Sequence, residues 1–96
     1  MPLFALHCLD RPGTEDLRQA TRPAHLDFVR SRADYRFGAY LKDEAGVMRG
    51  SLMAVEVADF AAARAFSAAD PYVQAGLFER VEIHEWPVGI DAVPAS

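Results

Sequence analysis

The sequence has a single cysteine and none of the short spacings that commonly bind metal ions. Cys-x-x-Cys, His-x-x-x-His and His-x-His are all absent, and so is a glycine-rich phosphate loop. We therefore predict no metal, no cofactor and no internal disulfide. Cys8 lies within an apolar run, which favours a buried, inert thiol over a nucleophile. His7 and His84 fall in strand-like segments, where we expect structural histidines.

An excess of positive charge and long apolar stretches are also missing. The net charge is -4, from 14 acidic and 10 basic residues, whereas a nucleic-acid binder usually carries a basic excess. No apolar run approaches the ~18–20 residues needed to cross a bilayer. The start of the chain shows neither the basic region nor the cleavage pattern of a signal peptide. We predict a cytoplasmic protein that binds neither nucleic acid nor membrane.

The sequence does contain enough apolar residues for one small core. It has 96 residues, of which 51% are hydrophobic, and this length suits one domain. We predict a single domain over residues 1–96, with a tail from about residue 87. A domain of this size buries a limited share of its surface, so association with a second copy would increase that burial.

Hydrophobic periodicity divides the chain into four strands and two helices. The predicted strands cover residues 3–9, 35–42, 47–57 and 77–86, and the predicted helices cover about 14–33 and 60–69. Thr14 and Asp59 are predicted to cap the helices, and Gly38 to mark a bulge or a close approach within the second strand. We also predict a turn or short helix at residues 71–76 and an edge strand at residues 88–90.

The order β-α-β-β-α-β is that of the ferredoxin-like fold, an α+β architecture. This fold has a four-stranded antiparallel sheet with both helices on one face. The first and third strands carry apolar residues on both faces, although two helices cover only one. A second copy that packs sheet to sheet is the simplest cover for the other face, and we predict such a homodimer.

The first predicted helix contains Pro23, which interrupts the helical pattern. Proline in a helix interior costs about 3 kcal/mol. Either the helix kinks there, or it restarts with Thr21 as its cap. We favour a short first turn followed by a main helix over residues 22–32. His25 then lies on the shoulder of the predicted buried stripe, which consists of Leu17, Ala20, Ala24 and Phe28.

His25 is the first candidate for chemistry because arginines surround it. Arg18, Arg22 and Arg32 are predicted to project on the same flank of the helix, where they could meet an anionic small molecule. A histidine beside such a ligand can act as an acid or a base. The alternative is a histidine at the border of the core, with solvated arginines around it.

Asp70 is the second candidate. It follows the second helix and precedes Pro71, on the side of the sheet predicted for His25, so its carboxylate could orient the imidazole. The alternative is a plain helix stop. Tyr72 could supply a hydroxyl nearby, and Ser51 could line a pocket. The alternatives are a half-buried tyrosine and an ordinary strand serine.

Three segments of the sequence resemble the YciI-like (YCII) family: Arg22-Pro23-Ala24-His25-Leu26, Gly50-Ser51 and residues 69–78. The resemblance extends from about residue 3 to residue 86. It implies a homodimer of the dimeric α/β-barrel type, and a pocket that holds a His-Asp pair, here His25 and Asp70, often with a serine such as Ser51. Most members have no assigned reaction, and related proteins of the wider superfamily act on small ring compounds. Many members have Gly-Pro where this chain has Gly38-Ala39, a difference at the predicted pocket rim.

We therefore predict a small cofactor-independent enzyme of the isomerase, lyase or hydrolase type. His25 would move a proton on or off a small anionic or cyclic metabolite, and Asp70 would orient His25. The competing hypothesis is a non-catalytic ligand-binding or accessory dimerisation domain. The predicted substrate-binding residues are Arg22, Arg18, Ser51, Tyr72 and Gly38.

Overall fold

The computed structural model describes residues 1–87, and its elements follow the predicted order. The strands are β1 (Leu3–Asp10), β2 (Tyr35–Lys42), β3 (Met48–Glu56) and β4 (Phe78–Glu85), and the helices are α1 (Glu15–Arg30), α2 (Phe60–Ala69) and the short α3 (Pro71–Gln74). The segment predicted after α2 as a turn or short helix is thus helical. The predicted edge strand at residues 88–90 lies outside the described residues.

The four strands form one antiparallel sheet in the order β2-β3-β1-β4. β1 lies in the interior of the sheet, between β3 and β4, while β2 pairs with β3 at one edge. β2 and β3 form a hairpin, and Gly46 in its turn takes a φ of 82°, a value that glycine adopts without steric cost. This is the predicted ferredoxin-like α+β arrangement, the protomer fold of dimeric α/β barrels.

The core lies between one face of the sheet and the helices. Alternate residues of a strand point to the same face, and Phe4, Leu6 and Cys8 of β1 are at most 1% exposed. They pack against β3 and both long helices, through residues that include Met53, Val55, Val29, Ala63 and Phe66. Helices therefore cover one face of the sheet, as predicted.

The opposite face of the sheet is partly open to solvent. Leu3, Ala5 and Leu9, the alternate residues of β1, are only half-buried, and Phe37 of β2 is 41% exposed. Within residues 1–87, the helix residues of the core pack on the other side of the sheet. An apolar sheet face is thus left without a cover in the described chain, and the second copy stays a prediction.

The prediction that the first helix restarts near Pro23 is wrong. α1 is continuous from Glu15 to Arg30, with Pro23 inside it. Pro23 is exposed, so its ring displaces no core residue. The missing N–H costs one hydrogen bond to the carbonyl of Gln19, which belongs to an exposed residue and can bind water.

The predicted buried stripe of α1 is wrong at Ala20 and Ala24, whereas Leu17 and Phe28 are half-buried and Phe28 packs against the core. Ala20 and Ala24 are exposed, whereas the buried residues of the helix are Arg18, His25 and Val29. The buried face is therefore rotated toward two polar side chains. Burial of a polar group is tolerated where the group finds hydrogen-bond partners, and both of these side chains do.

The helix caps differ in how they are made. Thr14 occupies the N-cap position of α1, but its hydroxyl donates to the carbonyl of Arg11 instead, so the predicted side-chain cap is wrong. Asp59 caps α2 as predicted, by accepting a backbone hydrogen bond from the first turn. Asp70 follows α2 and also caps α3, by accepting from the amide of Tyr72. The cap fixes the Asp70 carboxylate at the junction of the two helices.

Candidate active site

A cavity of about 220 Å³ lies between α1, α3 and the edge of the sheet formed by β2 and β3. Its walls come from elements that are distant in sequence and meet because the helices cross one face of the sheet. His25 lines it together with all five residues predicted to bind substrate, which are Arg18, Arg22, Gly38, Ser51 and Tyr72. Asp70 is not part of the lining.

His25 and Asp70 are joined by a short contact. His25 Nδ1 lies 2.9 Å from Asp70 Oδ1, and the two residues are 8% and 0% exposed. The same Oδ1 accepts the amide of Tyr72 at 2.9 Å, so one oxygen holds both the imidazole and the start of α3. Within the described chain, Asp70 Oδ2 is buried with no hydrogen-bond partner. Through Oδ1, Asp70 therefore links the imidazole ring of His25 to the backbone at the start of α3.

Tyr72 supports the imidazole from one face. Its ring stacks on His25 with a centroid distance of 4.1 Å and an interplanar angle of 18°. The guanidinium of Arg18 lies 4.7 Å from the centre of the same ring. Arg18 and His25 are seven residues apart, two turns along α1, so the aromatic ring fills the space between them. Burial raises the pKa of Tyr72 and keeps its hydroxyl protonated.

Arg18 is buried and already paired. Its Nε and Nη2 donate to the two carboxylate oxygens of Asp10 at 2.7 and 2.8 Å, and Nη2 also donates to Ser51 Oγ at 2.9 Å. Burial lowers the pKa of Arg18, but the hydrogen bonds and charge of Asp10 outweigh it and the pKa is raised. The alternative of a solvated arginine is therefore wrong for Arg18.

The other two arginines of the predicted flank separate. Arg22 is exposed, lines the cavity, and makes no hydrogen bond or ion pair within residues 1–87. Arg32 instead pairs with Asp34 at 2.8 Å and lies over the ring of Phe66, away from the cavity lining. Arg32 is thus separated from Arg18 and Arg22, because it lies beyond the end of α1, where the chain turns toward β2.

Sequence reasoning missed three residues of the site: Asp10, Tyr35 and Tyr40. Only the place of Asp10 at the end of an apolar strand, eight residues before Arg18, could have indicated a buried ion pair. Tyr35 and Tyr40 both line the cavity from β2. Their aromatic character predicts a strand equally well, so the sequence alone does not separate the two roles.

Gly38 lines the cavity but does not itself carry the bulge of β2. The register shift lies between Tyr35 and Phe37. A close approach does occur, because a Cβ at Gly38 would lie 2.6 Å from the hydroxyl of Tyr35. A side chain at position 38 would therefore force the Tyr35 hydroxyl to move.

The other candidate groups lie apart from the cavity lining. Cys8 is buried in the core, and burial raises the pKa of its thiol to about 12, which fits the expected inert thiol. His7 is 4.0 Å from Glu82 and His84 is exposed. Residues 1–87 contain no cluster of three or more side chains suited to hold a metal ion. No helix in that range is long and apolar enough to cross a membrane.

These features define a ferredoxin-like α+β protein with a buried His-Asp pair beside a small cavity. A YCII-related domain matches residues 2–87, and the chain belongs to that family, which confirms the resemblance seen in the sequence. A comparison with curated proteins finds no match.

One of the similar solved structures is that of a protein named as an enzyme. The chain is similar to 5-chloro-2-hydroxyhydroquinone dehydrochlorinase (TftG) from Burkholderia phenoliruptrix in complex with 2,5-dihydroxybenzoquinone, with 27% sequence identity and a TM-score of 0.81 over 91% of this chain and 95% of that one. Rv0793 from Mycobacterium tuberculosis is 14% identical, with a TM-score of 0.61 over 98% of this chain and 100% of that one. PA3566 from Pseudomonas aeruginosa is 15% identical, with a TM-score of 0.56 over 88% and 91%. The last two support the fold alone.

Proposed function

We propose that the protein is a small cofactor-independent enzyme that uses His25 and Asp70 for acid–base chemistry on a small anionic ring compound. The observation that carries the proposal is the 2.9 Å contact between His25 Nδ1 and Asp70 Oδ1 beside a cavity. A buried carboxylate paired with a histidine at a cavity is the arrangement that orients a catalytic imidazole.

The hydrogen bond assigns a role to each nitrogen of the ring. An ionised carboxylate only accepts hydrogen bonds, so Nδ1 of His25 carries the proton and donates a hydrogen bond to Asp70 Oδ1. Nε2 then has the free lone pair and is the basic nitrogen. In the proposed reaction Nε2 takes a proton from an acidic C–H or O–H of the substrate. Asp70 stabilises the imidazolium, which returns the proton to another substrate atom or to a leaving group.

Arg22 is the best-placed cation for an anionic substrate. Arg18 lines the same cavity, but Asp10 and Ser51 already occupy two of its nitrogens, whereas Arg22 has no partner within residues 1–87. The proposed role of Arg22 is therefore to bind a carboxylate or phenolate.

The hydrogen bond from Arg18 determines the role of the Ser51 hydroxyl. Because Ser51 Oγ accepts from Arg18, its own O–H is left to donate, and the residue lines the cavity. The proposed role of Arg18 is to position that hydroxyl, and Tyr72 holds the imidazole by stacking.

The size of the cavity limits the substrate. Pockets for drug-sized ligands run from roughly 300 to 1,000 Å³, and about 220 Å³ suits a single ring with its substituents. The similar dehydrochlorinase was solved with 2,5-dihydroxybenzoquinone, an acidic compound with one ring. The proposed substrate class is therefore monocyclic hydroxyquinones, phenols and lactones that bear an anionic oxygen.

The proposed assembly is a homodimer in which two open sheet faces pack together. The half-buried apolar residues of that face, among them Leu3 and Leu52, support it. The single domain and the cytoplasmic location expected from the sequence stay predictions.

A substrate screen tests the proposed chemistry. Small lactones, phenols and hydroxyquinones would be incubated with the wild type, with His25→Ala and with His84→Ala as a matched control on an exposed histidine. We expect turnover by the wild type and by His84→Ala, and a loss of roughly 10²–10⁴-fold in His25→Ala, the usual contribution of a positioned acid or base. Equal turnover by His25→Ala and the wild type contradicts the proposal. Tight binding without turnover favours the non-catalytic ligand-binding domain.

A further inference from the structure

β2 contains a bulge that changes which side chains face the cavity. Tyr35 pairs with Val55 and Gly38 with Met53, so three steps along β2 match only two along β3. In a regular strand, residues three apart point to opposite faces. The extra residue brings Tyr35 and Gly38 to the same face, the one that the helices cover. Bulges often occur beside active sites, where they redirect a side chain.

The hydroxyl of Tyr35 occupies the space that a side chain at position 38 would take. A Cβ at Gly38 would lie 2.6 Å from that hydroxyl, closer than real Cβ atoms come to other atoms. It would also lie 3.0 Å from the carbonyl oxygen of Leu52. Gly38 has an ordinary negative φ, so its backbone conformation does not require glycine. The close approach of Tyr35 explains the glycine instead.

The Tyr35 ring is held in place by packing. It lies parallel to the ring of Phe66, with an interplanar angle of 8° and a centroid distance of 6.5 Å. Burial raises the pKa of Tyr35, and the negative charge of Asp70 adds to that rise, so the hydroxyl stays a donor at neutral pH. Within residues 1–87 this hydroxyl has no hydrogen-bond partner, while the residue lines the cavity beside His25.

We propose that Tyr35 is a substrate-binding residue whose hydroxyl donates a hydrogen bond to a ring oxygen of the ligand. The inference rests on the proposed function because it concerns the same cavity. It adds a neutral donor from the sheet side to the cation of Arg22 and to the hydroxyl of Ser51. Gly38, predicted from the sequence to bind substrate, acts by leaving room for this donor.

The test measures binding of 2,5-dihydroxybenzoquinone by isothermal titration calorimetry. Tyr35→Phe removes the hydroxyl and keeps the ring against Phe66. We expect Kd to rise by about 10- to 100-fold, the usual loss for a hydrogen bond to a charged oxygen. Ser31→Ala is the control, since it also removes one hydroxyl but Ser31 is exposed and lies outside the cavity lining, and we expect its Kd to stay within about twofold of the wild type.

Gly38→Ala provides a second variant with a different chemical change. Its methyl group would displace the Tyr35 hydroxyl, so we expect a similar rise in Kd. In the Tyr35→Phe background, Gly38→Ala should add little further loss of affinity, because the donor is already gone. Thermal unfolding of each variant identifies the folded ones, and only those enter the comparison.

Two outcomes overturn the inference: no binding of the quinone to the wild type, or the same Kd for Tyr35→Phe as for the wild type. Its failure is separable from that of the proposed function. If Tyr35→Phe binds normally while His25→Ala loses turnover, only the role of Tyr35 is wrong. If Tyr35→Phe binds weakly while His25→Ala turns over normally, only the acid–base role of His25 is wrong.

Discussion

At the scale of single residues, Asp70 combines two tasks in one carboxylate oxygen. Oδ1 accepts the amide of Tyr72, which starts α3, and contacts Nδ1 of His25. The local sequence explains the first task, because aspartate before proline is a common helix start. The second task depends on α1 lying against α3, a tertiary contact that the order of elements predicts only coarsely.

Substitutions at Asp70 should separate these tasks. Asparagine caps helices as well as aspartate does, so we expect Asp70→Asn to fold while turnover falls by about 10²-fold or more. Asp70→Ala loses the cap and leaves a buried donor of His25 unpaired, so we expect its free energy of unfolding to fall by about 2–4 kcal/mol. Urea denaturation and steady-state kinetics check both. Equal activity of Asp70→Asn and the wild type would show that the carboxylate charge is not needed.

Cys8 should be nearly inert in the folded protein. Its thiol is buried, and burial raises the thiol pKa to about 12. Only the thiolate reacts, so alkylation by iodoacetamide at pH 8 should be slower than that of a free cysteine by roughly 10³-fold. The rate should increase with pH as the thiolate fraction increases. Labelling in urea is the control, and labelling of the folded protein at the unfolded rate would contradict the prediction.

At the scale of elements, the continuity of α1 sets the composition of the cavity. Arg18, Arg22 and His25 lie four and three residues apart, so an unbroken helix presents all three on one side. A restart at Pro23 would have rotated Arg18 away from His25. The sequence suggested the restart because the average cost of an interior proline is high, but an exposed proline loses only one hydrogen bond.

Replacement of Pro23 tests the continuity of α1. Pro23→Ala restores a donor for the carbonyl of Gln19 and removes no core contact, since Pro23 is exposed. We expect the free energy of unfolding to increase by about 1–2 kcal/mol, less than the full helix penalty because proline also restricts the unfolded chain. Ala24→Gly, at the next exposed position of the helix, should instead lower it by about 1 kcal/mol. Urea unfolding measures both, and destabilisation by Pro23→Ala would contradict a continuous helix.

The predicted elements and their order agree with the structure because periodicity is a local property. Strand alternation and the cap at Asp59 depend on neighbours along the chain, and both are confirmed. The buried face of α1 is not local. It was assigned to Ala20 and Ala24 on hydrophobicity, whereas Arg18 and His25 are buried because Asp10 and Asp70 come from other elements to meet them.

At the scale of the whole molecule, the sheet has two unlike faces. The helix side is packed, with Phe4 and Leu6 at 1% and 0% exposure, while Phe37 on the other side is 41% exposed. Apolar alternation on both faces is visible in the sequence, so the need for a further cover could be predicted. The cavity beneath the helices could not be predicted from hydrophobicity, since Ser51 and Gly38 in its lining fit an ordinary strand equally well.

The open face predicts a homodimer in solution. Sedimentation at micromolar concentration should give a species of twice the 10.6 kDa chain mass. Leu52→Glu puts a charge on the open face and should shift the population toward the single chain. Ala20→Glu, with the same charge on the exposed side of α1, is the matched control and should leave the dimer intact. A monodisperse wild-type species of 10.6 kDa refutes the association.

The central claim is that Asp70 holds His25 with Nδ1 protonated and Nε2 free to accept a proton. The ¹⁵N resonances of the imidazole report this tautomer directly, with His25→Gln to assign the signals and the half-exposed His7 as an internal reference. For neutral His25 we predict a protonated Nδ1 and an unprotonated Nε2. A proton on Nε2, with Nδ1 as the acceptor, would contradict the account, because Asp70 would then have to donate and His25 would have no free base toward the substrate.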